Sequence, residues 1–128
     1  VKKTIPFDLF RQGDTLYFNI LRLQELERLL NKPIMEIIEK QYMGIDFCLA
    51  GLQVGLKHNY PRANAQFFAA KIEEYMDDGK GSIDPFIVAI ISAIMASGIL
   101  RKATAKKTEE NEEQEKNVQR TEATPSEA

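Results

Sequence analysis

The chain has 128 residues, 44% hydrophobic and 28% charged, with a formal net charge of −2 and one cysteine. That is one domain's worth of sequence, and its ordinary glycine and proline content excludes a collagen-like or wholly disordered chain. The near-neutral charge gives no global pull toward nucleic acid or anionic membrane, and a single cysteine excludes an internal disulfide framework and any cysteine-cluster zinc site.

The opening residues, Val-Lys-Lys-Thr-Ile-Pro-Phe-Asp, lack the apolar core of a signal peptide. A lone thiol fits a reducing compartment. Lys3–Leu9 and Thr15–Phe18 read as two short strands, because Ile5, Phe7 and Leu9 alternate with polar or turn residues. Gln12-Gly13-Asp14 supplies the turn between them. A hairpin this small is marginal alone, so it must lie on the helices that follow.

Asn19 is placed to cap a helix running to about Asn31, with apolar residues at 20, 23, 26, 29 and 30. Pro33 suits the first turn of a second helix, Pro33–Met43, whose inner stripe is Ile34, Ile37, Ile38 and Tyr42 and whose terminator is Gly44. A third helix is expected from Ile45 to about His58, with Ile45, Cys48, Leu49, Leu52 and Leu56 on one side. Gly51 and Gly55 each cost about 1 kcal/mol of helix propensity against Ala. Their spacing of four on one face predicts close approach of another backbone.

Asn59-Tyr60-Pro61 breaks the pattern, and a fourth helix is predicted over Asn64–Asp77, carrying Phe67, Phe68, Ile72, Tyr75 and Met76. Asp84 and Pro85 then open the last helix as cap and first residue. That helix is apolar nearly all round, through Phe86, Ile87, Val88, Ile90, Ile91, Ile94, Met95, Ile99 and Leu100. Such a helix is central to a core or shared with a partner. The run Pro85–Leu100 is shorter than the roughly 20 apolar residues that cross a bilayer, which argues against a membrane span.

Composition changes after Lys102. The segment 103–128 has Val118 as its only large aliphatic, and its seven glutamates face Lys106, Lys107, Lys116 and Arg120, a net charge of −3. It cannot bury enough apolar area to offset its ordering entropy, so a disordered acidic tail is expected. The expected organisation is a mainly α domain over residues 1–102, a compact bundle of about five helices with a short N-terminal β-hairpin, followed by that tail.

No catalytic constellation emerges. His58 has no companion ligand at helical spacing. Cys48 sits on an apolar stripe and is expected to be a small buried hydrophobe. Gly79-Lys80-Gly81-Ser82 fails the phosphate-loop pattern, since position 74 is Glu and position 81 is Gly, and it follows a helix. Glu73, Glu74, Asp77 and Asp78 lack the calcium-loop spacing; the twelfth residue from Asp77 is Val88. Arg22, Arg28, Lys32, Lys40, Lys57 and Lys71 are scattered among acids, so no nucleic-acid stripe forms. No enzyme activity, metal or cofactor is expected.

The order of motifs carries a resemblance. Leu-Tyr-Phe-Asn-Ile-Leu-Arg-Leu-Gln-Glu-Leu-Glu-Arg-Leu-Leu (16–30) precedes Asn-Lys-Pro-Ile-Met-Glu-Ile-Ile (31–38) and Cys-Leu-Ala-Gly-Leu-Gln-Val-Gly-Leu-Lys-His (48–58). An aromatic residue (Phe18), a Leu-x-x-Leu-Glu segment (Leu23 to Glu27), a break at Asn31–Pro33, and Ala50-Gly51-Leu52 resemble the tail assembly chaperones of long-tailed phages and prophages of Gram-positive hosts. The resemblance spans about residues 3–80. The apolar helix 85–100 is less typical of that family.

The resemblance implies a non-enzymatic, oligomeric chaperone. It would bind the tape-measure protein before tail assembly, help recruit tail-tube protein, act in the host cytoplasm and be absent from the mature virion. It also implies the short product of a pair, with a frameshifted longer form of the same chain as a further partner. A structural tail connector or completion protein and a small helical nucleic-acid-binding regulator are the alternatives. From pattern alone, the candidate contact surface is Leu52, Leu56, Ile87, Ile91, Ile94 and Met95.

Overall fold

The computed structural model describes residues 3–100. The acidic tail expected over 103–128 lies outside the described residues, and the proposed boundary after residue 102 falls there too. Two short strands, β1 (Ile5–Pro6) and β2 (Thr15–Leu16), pair antiparallel with Ile5 opposite Leu16 and Pro6 opposite Thr15. Five helices follow: α1 (Ile20–Leu30), α2 (Ile34–Lys40), α3 (Ile45–Gly55), α4 (Ala65–Asp77) and α5 (Asp84–Ala96). The mainly helical fold with an N-terminal hairpin is as expected, although both strands are shorter. Beyond Pro6 only Phe7 continues the ladder, donating its N–H to Asp14 O at 2.8 Å. The connecting loop then turns through Gly13 at φ +92°, whose N–H is held by Asp8 Oδ1.

Local chemistry sets the helix ends. Asn19 Oδ1 accepts from Arg22 N at 2.9 Å and opens α1. Asn31, in the left-handed region at φ 54°, closes it. Pro33 cannot cap α2 with its own side chain, and Glu27 of α1 does so, its Oε2 accepting from Ile34 N at 2.7 Å. That bond fixes the α1–α2 corner. α2 ends at Gln41 (φ 58°) rather than near Met43, because the N–H groups of Gln41 and Tyr42 both return to Ile37 O. Tyr42, expected on the inner stripe, is therefore turned outward. Gly44 does not terminate α2; it is the extended residue that starts α3.

α3 stops at Gly55, short of His58. Leu56 O then takes the N–H groups of Asn59 and Tyr60 in a turn. Asn64 Oδ1 caps α4 through Phe67 N at 3.0 Å. Asp84 lies inside the first turn of α5 rather than capping it, and Ser82 Oγ accepts its N–H at 3.3 Å.

α3 is the centre of the fold. α1, α4 and α5 all pack on it, and the hairpin packs on α3 and α5. Seven of its eleven residues are buried. Its two glycines are closely approached, by side chains rather than by the backbone that their spacing predicts. A Cβ on Gly51 would stand 2.7 Å from Ile90 Cγ2, and one on Gly55 2.7 Å from Leu16 Cδ2 and 2.9 Å from Phe18 Cζ. Ile45, expected to begin the buried stripe, is exposed instead, because it belongs to the first turn of α3, beyond the cover of α1.

A run of rings fills the other end of the core. Phe7 lies edge-on to Phe10 at 5.4 Å between centroids, Phe10 lies 5.3 Å from Phe86, and Phe86 meets Tyr75 at 5.0 Å. Each such pair contributes about 0.5–1.5 kcal/mol beyond the area it buries, which secures a hairpin with only two residues in each strand.

Candidate partner-binding face

Two kinds of polar and apolar surface compete for a functional role: a side-chain network along the hairpin, and the outer side of α5. The network runs beside β2. Tyr17 N donates to Gly55 O at 3.0 Å, Thr15 N to Asn59 Oδ1 at 3.1 Å, and Tyr60 Oη to Asp14 Oδ2 at 2.5 Å. Asp14 is buried, and its other oxygen accepts from Arg11 Nε at 3.1 Å. The Arg11 guanidinium also sits 4.9 Å from the centre of the Tyr60 ring. Burial, and then the bond to Asp14, push the Tyr60 phenol up to about 12. A buried carboxylate needs such partners, and this one holds the tip of the hairpin to the segment after α3.

His58 belongs to the same network. Arg22 Nη1 lies 3.0 Å from its Nδ1 and Thr15 Oγ1 2.8 Å from its Nε2. A guanidinium only donates, so Nδ1 accepts and Nε2 carries the ring proton toward Thr15. Both nitrogens are thus engaged in tying α1 to the hairpin. Cys48 is fully buried in α3, and burial pushes its thiol up to about 11, away from nucleophilic use. Among the described residues, no three His, Cys, Asp or Glu side chains converge in a way that would hold a metal ion.

The candidate contact residues separate into two groups. Leu52, Leu56 and Ile94 are fully buried. They are corrected from surface to core: Leu52 and Leu56 lie in and just after the central helix, and Ile94 is on the inner side of α5, so none offers area to a partner while the chain is folded. Ile87 and Ile91 are half-buried, packed at the edge of the core. Met95 is 37% exposed.

Two residues that the pattern did not single out complete the exposed group. Val88 is 60% exposed and Ile99 45% exposed. Val88, Ile91, Ser92 and Met95 recur at helical spacing along the outer side of α5, and Ile99 lies in the turn after it, beyond Gly98 at φ +84°. The signal that could have found it is the set of small residues: Ala89 and Ala93 flank the inward positions, whereas Val88 and Ser92 fall on the other side.

Ile99 lines a groove of about 340 Å³ between the two ends of the described chain. Lys3, Phe18, Ile20, Leu23, Gly98 and Ile99 are among the residues that line it. Ile20, 66% exposed at the start of α1, lines the same groove. No helix of the described residues is long and apolar enough to cross a membrane.

Between Asp84 and the end of the described chain there is no ionisable group, and among the described residues Lys3 is the one charged residue lining the groove. Surfaces of this kind bury apolar side chains of a partner. No protein family, curated protein or solved structure matches the chain.

Proposed function

We propose that this chain is a non-enzymatic chaperone of phage tail assembly that binds the tape-measure protein through the outer side of α5. The observation that carries the binding role is the apolar outer side of α5, where Val88 and Met95 are exposed and Ile91 is half-buried, with Ile99 exposed in the turn that follows. A soluble monomer gains nothing from leaving such a surface bare. The narrower identity, with tape-measure protein as client and tail-tube protein as further partner, is supported by the motif order over residues 16–58.

The physical match is straightforward. A long tape-measure chain offers amphipathic helices that aggregate when uncovered. A helix face with apolar residues at i, i+3 and i+7 takes up such a segment side by side, in the manner of helix-in-groove recognition. Several weak contacts along one client then add through effective concentration.

Co-expression of the full chain with tape-measure protein tests this. The wild-type chain is expected to keep the client in the soluble fraction. Val88→Asp with Ser92→Asp, both exposed on the outer side of α5, is expected to leave the chaperone folded, judged by circular dichroism, and to send the client to the pellet. A folded double variant that still solubilises the client removes α5 from the function. A wild-type chain that leaves the client insoluble removes the chaperone role.

A further inference from the structure

We infer that the groove between the two ends of the described chain docks a bulky apolar side chain of the client protein that has a carboxylate close beside it, the carboxylate being taken by Lys3. The inference deepens the proposed function and rests on it for the identity of the client, though not for the preference of the groove.

Three stretches of chain build the groove: Lys3 ahead of β1, residues 17–20 with Leu23 at the start of α1, and residues 97–99 after α5. Phe18 and Leu23 are buried and back it with core, whereas Ile20 and Ile99 are exposed. Its volume of about 340 Å³ lies near the lower end of the range for small-molecule sites, roughly 300–1,000 Å³. One or two side chains fit there and a whole helix does not. Because two of its walls stand open to water, a ligand is sheltered only if something larger covers it from outside. A side chain carried on a helix brings that cover with it; a free fatty acid does not.

Charge states which side chain is taken. α5 runs out through Gly98 at φ +84°. A Cβ on that glycine would stand 3.3 Å from Lys3 Nζ. The bare backbone thus leaves the ammonium its place at the C-terminal end of the helix, where a cation is favoured. Arg22 adds a second cation, its guanidinium 5.1 Å from the centre of the Tyr17 ring, and Tyr17 lines the groove. Neither cation has an ion-pair partner among the described residues. No carboxylate lies in residues 17–23 or 95–100. The next acids along α1 are engaged elsewhere, Glu25 with Lys57 at 3.0 Å and Glu27 with the N–H of Ile34 at 2.7 Å. An apolar groove edged by cations that lack a carboxylate favours an apolar residue next to Asp or Glu and turns away one next to Lys or Arg. The outer side of α5, without charge between residues 85 and 100, makes no such choice.

Fluorescence anisotropy on the full-length chain, with two labelled amphipathic helical peptides as probes, is the test. Both peptides carry the same leucine face; one has glutamate flanking it and the other lysine. The glutamate peptide is expected to bind about fivefold more tightly, the range of an exposed ion pair, and Lys3→Glu to reverse the order. Ile20→Ser with Ile99→Ser, both exposed positions, is expected to weaken the glutamate peptide more than tenfold. Equal binding of the two peptides by the wild-type chain overturns the inference. So does an order that Lys3→Glu leaves unchanged, or a glutamate peptide indifferent to the double serine variant. Binding of laurate with no binding of either peptide assigns the groove to a lipid and overturns it too. Client solubilisation on the same wild-type sample keeps the two ideas apart. A chain that solubilises tape-measure protein without the peptide preference sinks only this inference, and one that shows the preference but leaves tape-measure protein insoluble sinks only the chaperone role.

Discussion

α3 and α5 are the two most apolar helices of this chain, and they occupy different positions. α3 is enclosed by α1, α4, α5 and the hairpin, and its glycines admit Ile90, Leu16 and Phe18 where a Cβ would stand. α5 leans on α3 and the hairpin with Phe86, Ile90, Ala93 and Ile94 and leaves Val88, Ser92 and Met95 outward. Apolar content alone does not separate a central helix from an edge helix. The separation comes from where small residues sit. In α3 they let neighbours reach the backbone, so every side is occupied; in α5 a one-sided neighbour leaves an apolar stripe with nowhere to go inside the domain.

The largest expected effect tests the inner side of α5. Ile94 is fully buried, and Ile94→Asp puts a carboxylate there with no cation within the core. An uncompensated buried charge costs about 3–5 kcal/mol, a large share of the roughly 5–15 kcal/mol that holds a domain of this size. Thermal or urea unfolding is expected to show a chain unfolded or nearly so. Val88→Asp, six positions earlier and outward, is expected to change stability by no more than about 0.5 kcal/mol. Equal losses in the two variants would mean that α5 is enclosed on both sides, and the contrast with α3 would disappear.

That pair of outcomes also shows what the sequence made legible. Some caps and breakers were readable because they act locally: Asn19 and the Asn31–Pro33 break stand where they were expected, whereas Asp84 falls inside α5 and Gly44 opens α3 instead of closing α2. Gly51 and Gly55 announced a close approach, and Ile90 and Phe18 supply it. The site was less legible. Leu52, Leu56 and Ile94 have the same apolar character as Val88 and Ile99, and periodicity fixes a residue's angle on its own helix but not which side of that helix meets a neighbour. The end of α2 was missed for a related reason: Gln41 takes the left-handed turn usually given to glycine, because the N–H groups returning to Ile37 O hold it there.

A smaller effect is expected from Gly51→Ala, which sharpens the comparison from the α3 side. Alanine gains about 1 kcal/mol of helix propensity. Its Cβ, however, meets Ile90 Cγ2 at 2.7 Å, and Ile90 is itself fully buried and branched close to its backbone. Overpacking of that kind costs about 1–3 kcal/mol. The sum is a loss of up to about 2 kcal/mol, read from the denaturation midpoint. Ser92→Ala on the outer side of α5 meets no such obstacle and is expected to be neutral or slightly stabilising through helix propensity. A stabilising Gly51→Ala would show that α3 and α5 can separate without cost, and that the glycine is not there for close packing.

The smallest effect concerns protons and thiol chemistry inside α3. Cys48 is fully buried and its thiol is pushed up from 9.0 to about 11 by that burial. The folded chain thus holds this proton more tightly than the unfolded chain does. Its contribution to stability is complete below pH 9 and is lost as pH rises through the window from 9 to 11. At neutral pH a thiol-labelling reagent is expected to modify Cys48 only as fast as the fold opens, so the rate should rise with denaturant along the unfolding transition and reach that of a free thiol only when unfolding is complete. Val88→Asp should leave this labelling rate unchanged, because the outer side of α5 does not guard α3, whereas Gly51→Ala should raise it, because a strained contact with Ile90 eases local opening. Fast labelling of the wild-type chain would mean that α3 is not the enclosed partner in the comparison, and the one-sided exposure of α5 would then reflect a loose core rather than a surface kept for another chain.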